Sequence, residues 1–432
     1  MMKKILLGFV WALGIIFPIH AQNVYVCKGF NYTKYQVASL GDITFDAAKM
    51  TVSIAGEEQD ISEIDSITFE EPQFERVRIV YNGTTATVTI PSSFKGVTCT
   101  SGSSSHVVIN STNTSQEIPY YLEGSSSNGS LTVNGEYKLS VIFGGVDLTS
   151  GKGAAIDIQC GKRIDFILAQ GTINTLSDYA GGEQKAALYT KGHAEFKGAG
   201  TLNVKGNVKH AIAAKEYIEL KGSLGTVNIL GAASDGIHCG KGEKGNSEDN
   251  VFRMNGGTVT ISNCGSDCID SDDYGNVKIK GGKLTLNVSQ ADGSGIKCDS
   301  LFTMSDGNIN LAVSGVVSEG IRCSYRASFK GGTINGTVTA NGSRGIRGKK
   351  STKVTDTTKN GGFLEFNGTN VSLEVSGGIY SADQSKCFGI KADQTLTQTA
   401  GDISITVSNS AATGIKATTD TWTGGTRNGA TK

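Results

Sequence analysis

The repeat that organises this chain is plainest in residues 294–348, which read SGIKCDSLFTMSDGNINLAVSGVVSEGIRCSYRASFKGGTINGTVTANGSRGIRG. A Gly-Ile pair returns at a constant step in this stretch, at Gly295, Gly320 and Gly345. A turn glycine keeps the same step over a longer span, at Gly257, Gly282, Gly307 and Gly332. A fixed period of about 20–50 residues is typical of repeat architectures. The period therefore predicts one stacked unit rather than several separate domains.

The isoleucine of this repeat extends in both directions from the quoted stretch. It recurs at Ile212, Ile237, Ile269, Ile296, Ile321, Ile346, Ile390 and Ile415, and the longest step, from Ile346 to Ile390, contains an insertion. Each repeat holds three short segments in which apolar and polar residues alternate, the pattern of a half-buried strand. Three strands in each short repeat predict an all-β fold in which one repeat is one coil of a parallel β-helix.

Composition agrees with many short strands joined by tight turns. The 432 residues include 58 glycines and only 4 prolines. Lys and Arg together number 40 and Asp and Glu number 40, so no net charge draws the chain to nucleic acid or to an anionic membrane. The nine cysteines cannot all pair within one chain, and we expect small buried core residues, with a Cys298–Cys323 bridge left open.

The first residues have the pattern of an export signal. Lys3 and Lys4 precede an apolar run over residues 5–17, and a small-residue cleavage site ends at Ala21. The run is shorter than the roughly 20 residues that span a bilayer. We therefore expect a signal peptide over 1–21 and a monomeric mature protein, secreted or held at the cell surface or in the periplasm, without a transmembrane segment.

The repeat does not cover the whole mature chain. Residues 22–95 lack the period, and they predict a small β-rich N-terminal cap or separate module, since stacked repeats need protected ends. Residues 96–420 form the predicted repeat domain. Residues 421–432 are a C-terminal tail.

The residue after each Gly-Ile is predicted to point outward. Reading down the repeats, this position is filled by Ala213, His238, Asp270, Lys297, Arg322, Arg347, Lys391 and Lys416. Equivalent residues of stacked strands lie about 4.8 Å apart, so five consecutive cations predict a stripe that binds an extended acidic polysaccharide. The alternative is a solvated face whose long side chains splay apart.

A group of aspartates lies at the start of this stripe. Four of them fall within a single short segment, and stacking brings two more close: Asp267, Asp270, Asp272 and Asp273, with Asp235 and Asp299. Such a group repels itself unless a cation neutralises it, and Ca²⁺ accepts six to eight oxygen ligands in flexible geometry. The pattern predicts a calcium site. The alternative is an Asp-rich turn in water.

One catalytic arrangement is compatible with these residues. Calcium could neutralise a uronate carboxylate while Lys297, or Arg322 in its place, removes the adjacent proton in a β-elimination. A lysine acts as a base only when its pKa is lowered, which nearby aspartates oppose.

The succession of motifs resembles a known family. Residues 185–189 and 198–204, the segment 234–238, the aspartate group and the Gly-Gly-Thr turns at Gly256 and Gly331 resemble secreted bacterial carbohydrate-binding β-helix proteins related to calcium-dependent pectate lyases. The likeness covers about residues 75–420. It implies a right-handed, three-sided parallel β-helix, a solenoid in which each rung is one repeat. It also implies several calcium ions and an acidic or plant-type polysaccharide such as polygalacturonate or pectin.

The resemblance also implies site residues. Asp235, Asp267, Asp270 and Lys297 match the related lyases' plan of aspartates on adjacent rungs beside a lysine base. The usual Asp-Gly before the isoleucine is replaced by Glu319-Gly320 and Arg344-Gly345 in later rungs, which departs from a calcium-binding pattern there. The sequence thus predicts a secreted, calcium-binding, non-catalytic polysaccharide-binding protein. The alternatives are a pectate-type lyase, with Lys297 as its catalytic residue, and a surface adhesin or structural protein.

Overall fold

The structure is a computed structural model that describes residues 23–28, 31–61, 64–72, 74–240, 251–271, 274–350 and 360–429. The signal peptide expected over 1–21 lies outside the described residues, and so do Asp272 and Asp273. The chain divides into two compact units, residues 1–73 and 74–432. In the part of the chain that is described, no helix has the length and apolar character needed to cross a membrane.

The first unit is small and β-rich. Its elements are β1 (Asn23–Lys28), β2 (Asn31–Gln36), α1 (Val37–Leu40), β3 (Thr44–Asp46), β4 (Thr51–Ile54), β5 (Glu57–Asp60) and β6 (Ser66–Thr68). Two three-stranded antiparallel sheets form, in the orders β2-β1-β6 and β3-β4-β5. Their shared core is built from Val24, Val26, Leu40, Val52 and Ile54. The capping role expected for residues 22–95 stays a prediction.

The second unit is all strand among its described elements. The first half comprises β7 (Val77–Asn82), β8 (Thr85–Thr89), β9 (Val97–Cys99), β10 (His106–Ser111), β11 (Ile118–Ser126), β12 (Ser130–Asn134), β13 (Leu139–Thr149), β14 (Ile156–Gln159), β15 (Arg163–Leu168), β16 (Ile173–Ser177), β17 (Ala186–Thr190), β18 (His193–Lys197), β19 (Thr201–Gly206), β20 (His210–Ala214), β21 (Ile218–Leu220), β22 (Thr226–Ala232) and β23 (Ile237–Cys239). The second half comprises β24 (Val251–Met254), β25 (Thr258–Ile261), β26 (Ile269–Ser271), β27 (Asn276–Val288), β28 (Ser294–Cys298), β29 (Leu301–Val313), β30 (Glu319–Cys323), β31 (Arg326–Phe329), β32 (Thr333–Val338), β33 (Arg344–Gly348), β34 (Phe363–Asn367), β35 (Asn370–Val375), β36 (Phe388–Ala400), β37 (Asp402–Val407), β38 (Thr413–Trp422) and β39 (Thr426–Asn428).

Equivalent residues of the repeat stack in the expected register. The strands that carry the repeated isoleucine pair in parallel, in the order β20, β23, β26, β28, β30, β33, β36 and β38, and we call them the site strands. Their isoleucines pair directly from Ile212 through to Ile415. Each of these isoleucines is buried, so together they form an apolar column inside the fold.

The prediction of an open, three-sided β-helix solenoid is wrong. Hydrogen-bonded pairs link β7 through β39 into one closed barrel rather than into three open faces. Long strands contribute to this closure because they run on past the turn where a separate face would end. β27, for example, pairs with both β24 and β25 along its length. A sequence period identifies which residues stack, but it does not show whether a strand continues through a turn, so the closure was not predicted.

The turn glycines are required by the backbone. Gly257, Gly282, Gly307 and Gly332 have φ of +83°, +85°, +96° and +78°, a region that L-residues with a Cβ rarely adopt. At Gly307 a Cβ would also lie 3.0 Å from the carbonyl carbon of Gly281 on the neighbouring strand. The glycine period therefore marks one repeated turn.

The core of the second unit is continuous and apolar. Aromatic rings stack from repeat to repeat, as in Phe302, Phe329 and Phe366, with centroids 5.2 and 4.6 Å apart. All nine cysteines are free thiols and eight of them are buried. Cys298 and Cys323 pair in register, but each thiol donates instead to a backbone carbonyl, of Gly275 and Ser300 respectively.

Candidate functional site

Two neighbouring columns of polar side chains run down the site strands. The outer column follows each isoleucine and pairs directly from strand to strand, at His238, Asp270, Lys297, Arg322, Arg347, Lys391 and Lys416. The inner column lies two positions before each isoleucine, at His210, Asp235, Asp267, Ser294, Glu319 and Arg344. Every member of the inner column is buried, whereas the lysines and arginines of the outer column are partly exposed and Lys416 is exposed.

Glycine makes the inner column compact. Gly320 separates Glu319 from Ile321, and a Cβ on Gly320 would lie 2.4 Å from the carbonyl oxygen of Gly345. Only glycine therefore lets the two strands approach this closely. As a result Glu319 and Arg344 lie in direct register on adjacent strands.

The inner column begins with a histidine–aspartate group. Asp235 Oδ2 lies 3.0 Å from His210 Nδ1 and 3.2 Å from His238 Nδ1. Its other oxygen accepts a hydrogen bond from the backbone N–H of Asp267 at 3.1 Å. Although burial opposes the charged form, these contacts hold the pKa of Asp235 well below its usual range. Asp235 is therefore a buried, ionised carboxylate.

The two histidines differ in charge. Burial and the neighbouring His238 hold the pKa of His210 below its usual value, although Asp235 opposes the shift. Burial also disfavours the charged form of His238, but Asp235 and Asp270 outweigh it and raise the pKa of His238 to about 9. At neutral pH His238 is a cation and His210 is neutral.

The next carboxylates meet Lys297. Lys297 Nζ lies 3.1 Å from Asp270 Oδ1 and 3.8 Å from Asp267 Oδ2. Asp267 Oδ1 accepts a hydrogen bond from the backbone N–H of Ser294 at 2.7 Å. Burial and the neighbouring carboxylate of Asp270 raise the pKa of Asp267 to about 6.

The predicted metal ligands are thus only partly brought together. Carboxylate oxygens of Asp235, Asp267 and Asp270 lie within 4.8 Å of one another. Asp299 is not part of this group; it accepts a hydrogen bond from Ser324 Oγ at 3.3 Å. Asp272 and Asp273 lie outside the described residues, so their role as ligands stays a prediction.

The three close aspartates already have protein cations beside them. They are oxygen ligands of the type that Ca²⁺ takes, but His238 and Lys297 already lie against their oxygens. Two protein cations therefore supply the neutralisation that the sequence argument assigned to a metal ion.

The outer column from Arg322 to Lys391 is cationic, and few carboxylates lie beside it. Glu319 lies 2.6 Å from Arg347, 3.7 Å from Arg322 and 3.8 Å from Arg344. Asp393 lies 3.2 Å from Arg347 and 3.5 Å from Lys391. Four cations therefore share these two carboxylates, which leaves an excess of positive charge on this part of the face.

The position of Lys297 bears on catalysis. Burial disfavours its charged form, but Asp270 and Asp267 outweigh this and raise the pKa of Lys297 above its usual value. A lysine that keeps its proton cannot accept another from a substrate. The geometry therefore gives no support to Lys297 as the base of a lyase.

Sequence reasoning identified the outer column but missed most of the inner one. His210, Glu319, Arg344 and Asp393 were not assigned to the site. His210, Glu319 and Asp393 each contact a residue that was assigned, and Arg344 contacts Glu319. The sequence did contain a signal for the inner column, because the position two residues before the repeated isoleucine is often charged. Glu319 and Arg344 were noticed there only as departures from an Asp-Gly pattern.

Comparison with known proteins now defines the class. A family model described as carbohydrate-binding domain-containing protein matches residues 103–431, and the chain belongs to this family. The expected likeness to carbohydrate-binding proteins is thereby confirmed, whereas the relation to pectate lyases and the secretion stay predictions. The match includes every site strand.

The chain is also similar to a solved structure. The structure of a polysaccharide lyase-like protein from C. thermocellum, a gadolinium derivative, is similar with 16% sequence identity and a TM-score of 0.41, covering 79% of this chain and 99% of that one. The search of curated proteins gave no match.

Proposed function

We propose that this protein binds an acidic polysaccharide of the polygalacturonate type along the outer column, from Lys297 to Lys416, without cleaving it. The observation that carries the proposal is the register. Lys297, Arg322, Arg347, Lys391 and Lys416 pair one to the next on five adjacent strands. At about 4.8 Å per strand, this column is about 19 Å long. An extended polyanion matches such a column better than a compact anion does.

Partial exposure of the cations supports a binding role. The side chains of Lys297, Arg322 and Lys391 are 23%, 23% and 26% exposed, and each lies beside a more buried carboxylate. Each side chain is therefore partly held by a carboxylate and partly open to solvent. Arginine also pairs with carboxylates through two parallel hydrogen bonds. A uronate polymer presents such a carboxylate on every sugar.

The charge state of Lys297 supports a binding role without cleavage. The pKa of Lys297 is raised, so the side chain is a cation suited to attract a carboxylate rather than to remove a proton. The lyase predicted as an alternative needs the opposite shift. If the protein were instead an adhesin, its partner would bind without contacting these cations.

The proposal is tested by electrophoresis through gels that contain polygalacturonate. We expect strong retardation of the unmodified protein, weaker retardation of the Lys391→Gln/Lys416→Gln double variant, and no effect of Lys280→Gln, an exposed lysine outside both columns. A gel with a neutral galactan should give no retardation. Unchanged mobility in polygalacturonate would contradict the proposal and favour the adhesin. An unsaturated, ultraviolet-absorbing product would instead make the protein a lyase.

Calcium stays a prediction from the sequence, and no step of the proposed binding depends on it. The gels are therefore run with calcium and with a chelator. Retardation that needs calcium would assign the aspartates a metal-dependent role, and retardation in both gels would assign binding to the cations alone.

A further inference from the structure

Arg344 is a buried arginine with an incomplete set of partners. It is 6% exposed, and it lies in direct register with Glu319 on the neighbouring strand. Its guanidinium is 3.8 Å from Glu319 Oε1, and its Nε has no hydrogen-bond partner among the described atoms. A buried charge is costly unless it is paired and hydrogen-bonded. Arg344 therefore has donors to spare in a place where unused donors are unfavourable.

The carboxylate next to Arg344 is already engaged. Glu319 Oε1 lies closer to Arg347, at 2.6 Å, and Glu319 Oε2 lies 3.7 Å from Arg322. One carboxylate thus serves three guanidinium groups. Asp393 offers no further compensation to Arg344 by contact, because its ion pairs are with Arg347 and Lys391.

Titration behaviour agrees with this shortage of negative charge. Burial and the like charge of Arg347 lower the pKa of Arg344, against the opposing effects of Glu319, Asp393 and Asp383. Burial and the like charge of Arg322 lower the pKa of Lys349, which lies two residues after Arg347. Like charge therefore adds to the effect of burial on both cations.

We propose that Arg344, together with Arg322 and Arg347, forms a discrete anion subsite that takes one carboxylate of a uronate sugar. The polysaccharide is then anchored at these three arginines, and the other cations of the outer column guide it on either side. A planar carboxylate matches the fork of a guanidinium and adds the negative charge that these three arginines share too little of. This inference rests on the proposed function for the identity of the sugar, but the shortage of carboxylates stands without it.

The experiment uses the full chain and sodium galacturonate as the probe. Melting temperature is followed against galacturonate concentration, with sodium chloride at equal ionic strength and neutral galactose as controls. We expect saturable stabilisation by galacturonate alone. Arg344→Gln and Arg322→Gln should bind galacturonate at least roughly tenfold more weakly, because each removes a charge-assisted pair, while Lys280→Gln binds it as the unmodified protein does.

Arg322 provides the second variant because it is partly exposed, so its replacement does not depend on tolerance of a change at the buried Arg344. Equal melting temperatures in galacturonate and in sodium chloride would overturn the subsite. So would stabilisation that Arg322→Gln retains in full. Retardation by polygalacturonate without any effect of the monomer would leave the proposed function standing and remove the subsite. An effect of the monomer without retardation by the polymer would do the reverse.

Discussion

The imidazole rings of His210 and His238 lie stacked, with centroids 4.1 Å apart and an angle of 9° between their planes. Both turn Nδ1 toward the same oxygen of Asp235. Two positive charges about 4 Å apart repel by about 4 kcal/mol at the effective dielectric of a protein surface. The pair therefore holds one charge, and His238 carries it because only His238 also contacts Asp270.

This division of charge predicts a pH dependence of stability. The pKa of His238 is about 9 in the folded protein and about 6.5 for an ordinary histidine. Because the folded pKa is the higher one, the stabilisation is fully present below pH 6.5 and is lost as the pH rises through 9. We expect the free energy of unfolding, measured by urea titration, to fall by up to about 3 kcal/mol between pH 6.5 and 9.

Replacement of the histidine tests the cause. In His238→Gln the decrease between pH 6.5 and 9 should shrink to a small fraction of its size in the unmodified protein. His106→Gln, which changes a histidine outside both columns, should keep the full decrease. An identical decrease in His238→Gln would show that other groups cause it.

The response to calcium separates two explanations of the aspartates. The sequence predicts that a metal ion neutralises them, whereas the structure places Lys297 and His238 against them. We expect millimolar calcium to leave the melting temperature of the unmodified protein unchanged. In Lys297→Met the aspartates lose one cation, and calcium should then raise the melting temperature by several degrees.

Lys280→Met is the matched control, since it removes an exposed lysine on another column. It should respond to calcium as the unmodified protein does. Stabilisation of the unmodified protein by calcium, equal to that of Lys297→Met, would return the aspartates to the metal-binding role that the sequence predicts.

The sequence predicted the parts of this site that depend on period alone. Lys297 and Arg322 occupy the same position in successive repeats, and stacked strands place residues one period apart in direct register. The inner column is different, because some of its contacts join positions that are not one period apart. Glu319 contacts Arg347, which lies three positions further along the chain than its register partner Arg344. Which of three nearby arginines it contacts depends on side-chain conformation, and a repeat does not specify that.

The closed barrel was missed for a related reason. A period reports the length of a repeat and the positions of its turns, and the turn glycines were located correctly. It does not report whether hydrogen bonding stops at a turn. β29 runs from Leu301 to Val313 through the turn glycine Gly307, and it pairs with β27 on both sides of that turn.

The turn at Gly307 should be sensitive to a single methyl group. Gly307 has φ of +96°, and a Cβ would approach the backbone of Gly281 to 3.0 Å. We expect Gly307→Ala to lower the free energy of unfolding by about 1–3 kcal/mol. Gly222→Ala is the control, since a Cβ at Gly222 meets no atom within 4 Å. Equal effects of the two substitutions on urea unfolding would contradict the requirement for glycine at the repeated turn.

The stacked aromatic rings should contribute strongly to the stability of the second unit. Phe329 is fully buried between Phe302 and Phe366, and truncation to alanine would leave a cavity that both neighbouring rings border. We expect Phe329→Ala to lower the free energy of unfolding by about 3–5 kcal/mol. Ile173→Ala removes apolar atoms from a side chain that is 69% exposed, so it should change stability by less than about 0.5 kcal/mol. A well-packed core does not fill the cavity left by a lost aromatic ring completely, so part of the cost remains. A cost below about 1 kcal/mol for Phe329→Ala would therefore mean that the stacked rings do not form a close-packed core.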